Sequence, residues 1–230
     1  LLLIPAIADF GERYPGIQLD MGVSDRVVDL IADNVDCVIR VGEITDQSLV
    51  ARRIGQLSFL TVAAPAYLRR HGTPAHPRDL ERSHRVVHHF QGNTRRIFPL
   101  EFDRDGEHIE PDAPYSLAVN ESNAHTAAVL AGLGASQMVS FTALPHIARG
   151  ELVEILPEWT REPLPVYVVY PPNRHLSAKV RAFVDWAAEL FAKHPLLRRE
   201  KEAAPATAST LAAAAPTPAK APAKTAVAAA

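Results

Sequence analysis

The sequence predicts an α/β fold of two Rossmann-like subdomains joined by crossing strands, and three observations predict it. Apolar runs of strand length alternate with amphipathic runs of helical spacing along most of the chain. The alternation falls into two sets, one before about Ala64 and one after it. The last apolar run, "LPVYVVYP", and the long helix behind it suit either set, as crossing segments would. A pair of such subdomains leaves a cleft at the carboxyl ends of its strands.

The elements follow in order. Leu3, Ile4, Ile7 and Phe10 share one helical face, and "YPG" stops that helix. "IQLDMGV" alternates strictly, which predicts a strand over residues 17–23. Ser24 is placed to cap a helix, Asp25 lies in its first turn, and Val27, Val28, Leu30 and Ile31 form its apolar stripe. "VDCVIRVG" then reads as a strand buried on both faces of a parallel sheet, closing a right-handed βαβ unit. After a polar loop, "EITDQS", comes the strand "SFLTVAA". Short helices are expected in "AYLRRHG", ended by Gly72, and in "HPRDLERS", which has proline at its start. "RVVHHF" reads as a strand, and Asp105-Gly106 between alternating runs as a hairpin turn. "YSLAV" runs into the helix "NESNAHTAAVLAGLG", followed by the strand "SQMVSF", the helix "TALPHIARG" and the strand "ELVEILP". The long helix carries Val180, Phe183, Val184, Ala187, Leu190 and Phe191 on one side. These readings divide the chain into one subdomain over residues 1–64 and 166–198, a second over 65–165, and a tail over 199–230. From Ala203 on, the tail is mainly Ala, Pro and Thr with Lys220 and Lys224, cannot form a core, and is expected to be disordered and inert.

Composition excludes several function classes. With Lys+Arg 24 against Asp+Glu 26 and a net charge of -2, the 230 residues offer no general attraction to nucleic acid or anionic membrane. No apolar run approaches the roughly 18 residues that span a bilayer. "LLLIPAIADF" has no basic region before it and continues as an amphipathic helix, so it does not read as a signal peptide. Leu1 has no cap in front of it, and the chain is expected to be part of a longer protein. The single cysteine, Cys37, excludes an intrachain disulfide, suits a reducing cytoplasm, and reads as a small hydrophobe on a strand.

No catalytic constellation is present: G-x-S-x-G, a P-loop, G-x-G-x-x-G and H-E-x-x-H are all missing. The protein is not expected to be an enzyme or to carry a cofactor. His84, His88 and His89 cluster in sequence, but neighbours on a strand point to opposite faces, so no metal site is expected. Polar residues at strand ends remain: Ser24, Asn120-Glu121-Ser122 and Ser140-Phe141-Thr142. Each suits a helix cap. Together, on two facing subdomains, they suit a cleft for a carboxylate or similar small anion.

The stretches "YPGIQLDMGVSDR", "RVGEITDQSLVARRIG", "AAPAYLRRHGTPAHPRDL", "AVNESNAHTAAVLAGLGASQM" and "LPVYVVYPPNRHLSAKVRAFVDWAAELF" resemble the effector-binding domain of LysR-type transcriptional regulators, in order, from Leu1 to about Leu197. The resemblance implies a periplasmic-binding-protein-like fold of type II. It implies a small-molecule effector in the cleft, held at positions matching Ser24, Gly42, Glu43, Asn120, Ser122 and Phe141. It implies homodimers that pair into tetramers, the first helix of one subunit meeting the helix over residues 122–133 of its partner. The family's winged helix-turn-helix, linker helix and first effector-domain strand are absent from this sequence, so promoter DNA would be reached only through a domain outside it. A missing central strand leaves an unpaired slot in the sheet. A solute-binding protein of a transport system would share the fold, and a signal peptide or lipid anchor would distinguish it.

Overall fold

The computed structural model describes residues 2–23, 28–44, 46–92, 94–172 and 177–197. In chain order the elements are α1 (Leu3–Arg13), β1 (Val38–Val41), β2 (Val50–Leu57), β3 (Phe59–Ala63), α2 (Pro65–His71), α3 (Asp79–Arg82) and β4 (Val86–His89). They continue with β5 (Phe102–Arg104), β6 (Glu107–Ile109), β7 (Tyr115–Val119), α4 (Ser122–Leu130), β8 (Ser136–Val139), α5 (Ser140–Ala148), β9 (Val153–Glu154), β10 (Leu164–Tyr170) and α6 (Ala178–Lys193).

The first lobe is a three-stranded sheet in the order β1-β10-β2, antiparallel throughout. One face is covered by α1 and α6, which meet through aromatic rings. Phe10 is 1% exposed, with its ring 5.2 Å from Trp186 and 5.8 Å from Phe183, both edge-on. The Trp186 indole N–H donates to the Asp9 carboxylate at 2.8 Å, so the buried indole is not left without an acceptor. Ile39, Val41, Ile54, Val166, Val168 and Val184 complete this core.

The second lobe holds the sheet β8-β3-β9, and an isolated parallel bridge between Val86 and Ala135 ties β4 and its parallel partner β7 to the edge of β8. Val87 N–H donates to Ala135 O at 2.9 Å, and Ala135 N–H to Arg85 O at 3.0 Å. Gly134 stands where these backbones come closest. A Cβ there would lie 2.7 Å from Arg85 O and 3.0 Å from the Val86 Cα. The atoms in the way are backbone of Arg85 and Val86, which cannot swing aside as a side chain would, so Gly134→Ala should cost about 1–3 kcal/mol, read as a lower denaturant midpoint. The hairpin β5–β6 turns through Asp105 at φ 51° and Gly106 at φ 84°, the paired left-handed conformation its sequence signals.

Several expectations are corrected. Residues 17–23 form no strand: Ile17 and Leu19 do rest half-buried against the first core, but the Ile17 N–H turns back to Tyr14 O at 2.9 Å and the segment joins no ladder among the described residues. Ser24, Asp25 and Val27 lie outside the described residues. Beyond them, the expected helix is replaced by turns. Asp29 Oδ1 takes the N–H groups of Ile31 and Ala32 at 3.1 and 3.0 Å, and Asn34 at φ 52° leaves the right-handed region. Among the described residues of the expected stripe, only Leu30 is fully buried, and Ile31 is 75% exposed. The parallel βαβ unit is therefore not formed. β1 runs antiparallel to β10, about 130 residues further along the chain, a pairing that local pattern cannot announce. The strand β2 was not anticipated either, because its first three residues, "VAR", are exposed and carry no buried alternation.

Candidate functional site

The two lobes meet where the chain crosses. β2 and β3 are separated by Ser58 alone, and Ser58 O accepts from the Ser140 N–H at the start of α5 at 2.8 Å. Phe59, Val139 and Phe141, all from second-lobe elements, pack half-buried against the first-lobe core. The return crossing is pinned by Arg161. Its Nε donates to Glu101 at 3.2 Å and its guanidinium lies 4.3 Å over the Phe59 ring. Glu101 is held in turn by Gln137, whose Oε1 accepts from Glu101 N at 3.1 Å while its Nε2 donates to Glu101 O at 2.7 Å. Sequence reasoning missed this group. Its members stand 36 and 60 residues apart, and no local spacing signals the contact.

The expected effector residues fall at three separate places, and Ser24 lies outside the described residues. Gly42 ends β1 at φ 89°, a conformation glycine adopts without strain, and its N–H donates to Pro165 O at 2.8 Å. Glu43 follows it, exposed. Asn120 ends β7, exposed, and its side-chain amide nitrogen lies 3.2 Å from where a Cβ on Gly92 would stand. Ser122 opens α4, but the capping group is Glu121, whose carboxylate accepts from Asn123 N at 2.9 Å and Ala124 N at 2.8 Å. Those two backbone donors hold the Glu121 carboxyl below its usual range. Phe141, in the first turn of α5, is the expected residue that reaches across the junction.

Beside Phe141, the Ser140 hydroxyl is 5% exposed and has no hydrogen-bond partner. A buried hydroxyl without a partner is uncommon and marks a place where a polar group would be stabilised. Two open cavities are present elsewhere, of about 360 Å³ beside the β5–β6 hairpin and about 420 Å³ between the start of α2 and the ends of α4 and α5. Neither is lined by the expected effector residues.

The remaining titratable groups read as structure. Burial, with Asp36 nearby, pushes the Cys37 thiol up to about 11, which leaves it protonated and unreactive at neutral pH. His84 Nδ1 sits 3.3 Å from the Tyr67 hydroxyl, His88 lies edge-on to Tyr115, and His89 stacks on Phe98. Among the described residues, no three His, Cys, Asp or Glu side chains are placed to hold a metal ion. Nor, among them, is any helix long and apolar enough to cross a membrane.

Residues 1–192 match the family model of the LysR substrate binding domain. An HTH-type transcriptional repressor of Pseudomonas aeruginosa is 36% identical over 194 residues, covering 84% of this chain and 61% of its own length. An uncharacterized HTH-type regulator of Escherichia coli, YhjC, is also 36% identical, over 81% of this chain and 62% of itself. The chain thus spans under two thirds of the length of these relatives. Among solved structures, the regulatory domain of CrgA from Neisseria meningitidis, a LysR-type transcriptional regulator, superposes with a TM-score of 0.71 at 29% identity, covering 82% of this chain and 91% of that one. Full-length AphB of Vibrio cholerae superposes at 0.70 and 28% identity, covering 82% and 63%. These similarities support a mixed α/β regulatory fold of the type II periplasmic-binding-protein-like kind, and they favour neither an enzyme nor a transport protein. The chain belongs to the LysR substrate-binding-domain family.

Proposed function

We propose that this domain senses a small organic effector in the cleft between its lobes and carries the self-association of a cytoplasmic DNA-binding regulator. The observation that carries the reading is the junction itself. Chain crossings at Ser58 and near Arg161, with Phe141 packed from one lobe on the core of the other, let a ligand between the lobes bias their arrangement. A ligand does this only through different affinities for two arrangements. The lobes follow the expected division into residues 1–64 with 166–198, and 65–165, except that β3 pairs with β8 and β9 and so goes with the second lobe, which puts the hinge at Ser58. The effector contacts are Ser24, Gly42, Glu43, Asn120, Ser122 and Phe141, with the buried Ser140 hydroxyl added to them. A carboxylate suits these hydroxyls and amide donors. Dimers form through α1 against α4 of a partner and pair into tetramers; the 53% exposed Ile4 on α1 supports that contact. Promoter DNA is engaged by a separate helix-turn-helix domain of the parent protein.

The test is a thermal-shift screen of the full-length regulator against small organic acids, with Ser24→Ala and Asn120→Ala in parallel. A ligand at a hundred times its dissociation constant adds about 2.7 kcal/mol. Loss of the shift in both variants is the expected outcome. A shift intact in both would remove the effector from this cleft.

A further inference from the structure

The first sheet has two faces. One turns Ile39, Ile54 and Val166 into the core beneath α1 and α6. The other carries Arg40, Tyr167 and Arg53, which the ladders set in one row: Arg40 is opposite Tyr167, and Tyr167 is opposite Arg53. Residues facing each other on neighbouring strands project to the same side, and two strand spacings put the outer pair about 10 Å apart. That distance lets two long guanidinium arms converge above the tyrosine ring.

Both arginines are incompletely satisfied. Each has a buried Nε–H with no hydrogen-bond partner. Arg40 Nη2 donates to Val28 O at 2.5 Å, whereas Arg53 Nη2 has only a long contact of 3.4 Å with Gln56 Oε1. Among the described residues, neither forms an ion pair within 4.0 Å. Burial disfavours the charged form of Arg40, and the Asp46 carboxylate acts on it through space in the opposite sense. An arginine has five donors and no acceptor, so only an acceptor can complete it, and planar oxyanions match its fork. Two unpartnered Nε–H donors on one face of the sheet, flanking Tyr167 in the ladder, are the groups such an acceptor would complete.

We propose that the Arg40–Tyr167–Arg53 row binds a small oxyanion, either the carboxylate of an organic acid or free sulfate or phosphate. This site lies on the sheet face of one lobe, and it stands or falls independently of the effector cleft.

The experiment titrates the 230-residue chain with sodium sulfate and, separately, with sodium acetate. Ionic strength is held constant with sodium chloride, and the melting temperature is read. Sulfate or acetate should raise it beyond the chloride control; the stronger of the two identifies the source of the anion. Arg53→Gln should weaken the response about tenfold, the loss of one charge-assisted contact. Tyr167→Phe, which keeps the ring and so the packing, should weaken it less but measurably. Arg52→Gln is the control, because Arg52 projects to the other face and pairs with Asp185 of α6. An equal response to sulfate and chloride would overturn the proposal. So would equal weakening by Arg52→Gln and Arg53→Gln, or loss of the sulfate response in Asn120→Ala, which would put the anion in the cleft.

Discussion

Phe10→Ala should be the most damaging single substitution in the first lobe, lowering its stability by about 3–5 kcal/mol. The ring is 1% exposed and touches the rings of Tyr14, Phe183 and Trp186, so truncation leaves a void whose walls belong to two different helices. α1 also holds Asp9, which accepts the Trp186 indole proton, and a shifted helix would lose that bond as well. Denaturant unfolding with a near-ultraviolet signal from tryptophan checks this, since Trp186 reports the first lobe and Trp159 packs in the second. A loss under about 1 kcal/mol would mean that the rest of the α1–α6 contact carries the packing without the ring.

Acid should weaken the second lobe more than the first. His125 is 8% exposed and buried among Val87 and Ser136, with Nε2 at 2.8 Å from the Ser136 hydroxyl oxygen. That hydroxyl donates to Val87 O at 2.7 Å, so its oxygen accepts and Nε2 carries the proton of a neutral ring. Burial first, and the nearby His89 second, push the His125 pKa down from 6.5 to about 4. The folded pKa lies below the unfolded one, so below pH 6.5 the unfolded chain binds a proton that the native chain refuses. Stability is therefore full above about pH 6.5 and declines as pH falls towards 4, by up to about 3 kcal/mol in all. His84 and His88 are shifted the same way by burial and steepen the decline. Stability measured at intervals across this window should show the slope, and His125→Gln, which can still donate to Ser136, should reduce it. An unchanged slope in that variant would assign the acid sensitivity elsewhere.

Much of this protein was legible because its signals are local. Pro65 and Gly72 bracket α2, Asp105-Gly106 turns the hairpin, and helical spacing marked Val180, Val184, Ala187 and Phe191 of α6, all of which are buried. Family membership was legible too, since it rests on phrases of sequence. The candidate site was legible only as polar residues at strand ends; the junction of Ser58, Arg161 and Phe141 was not.

What the sequence by itself determined is which residues want burial and where turns fall, because sterics, capping and periodicity act within a few residues. What only the tertiary structure decided is who pairs with whom. The alternation of residues 17–23 selects a face but cannot supply a neighbouring strand, so that segment packs without a ladder. β1 finds its partner in β10, and Arg161 finds Glu101, across stretches of chain far longer than any local pattern. Hydrogen-bond ladders and ion pairs need a partner brought close in space, and that depends on how the whole chain packs.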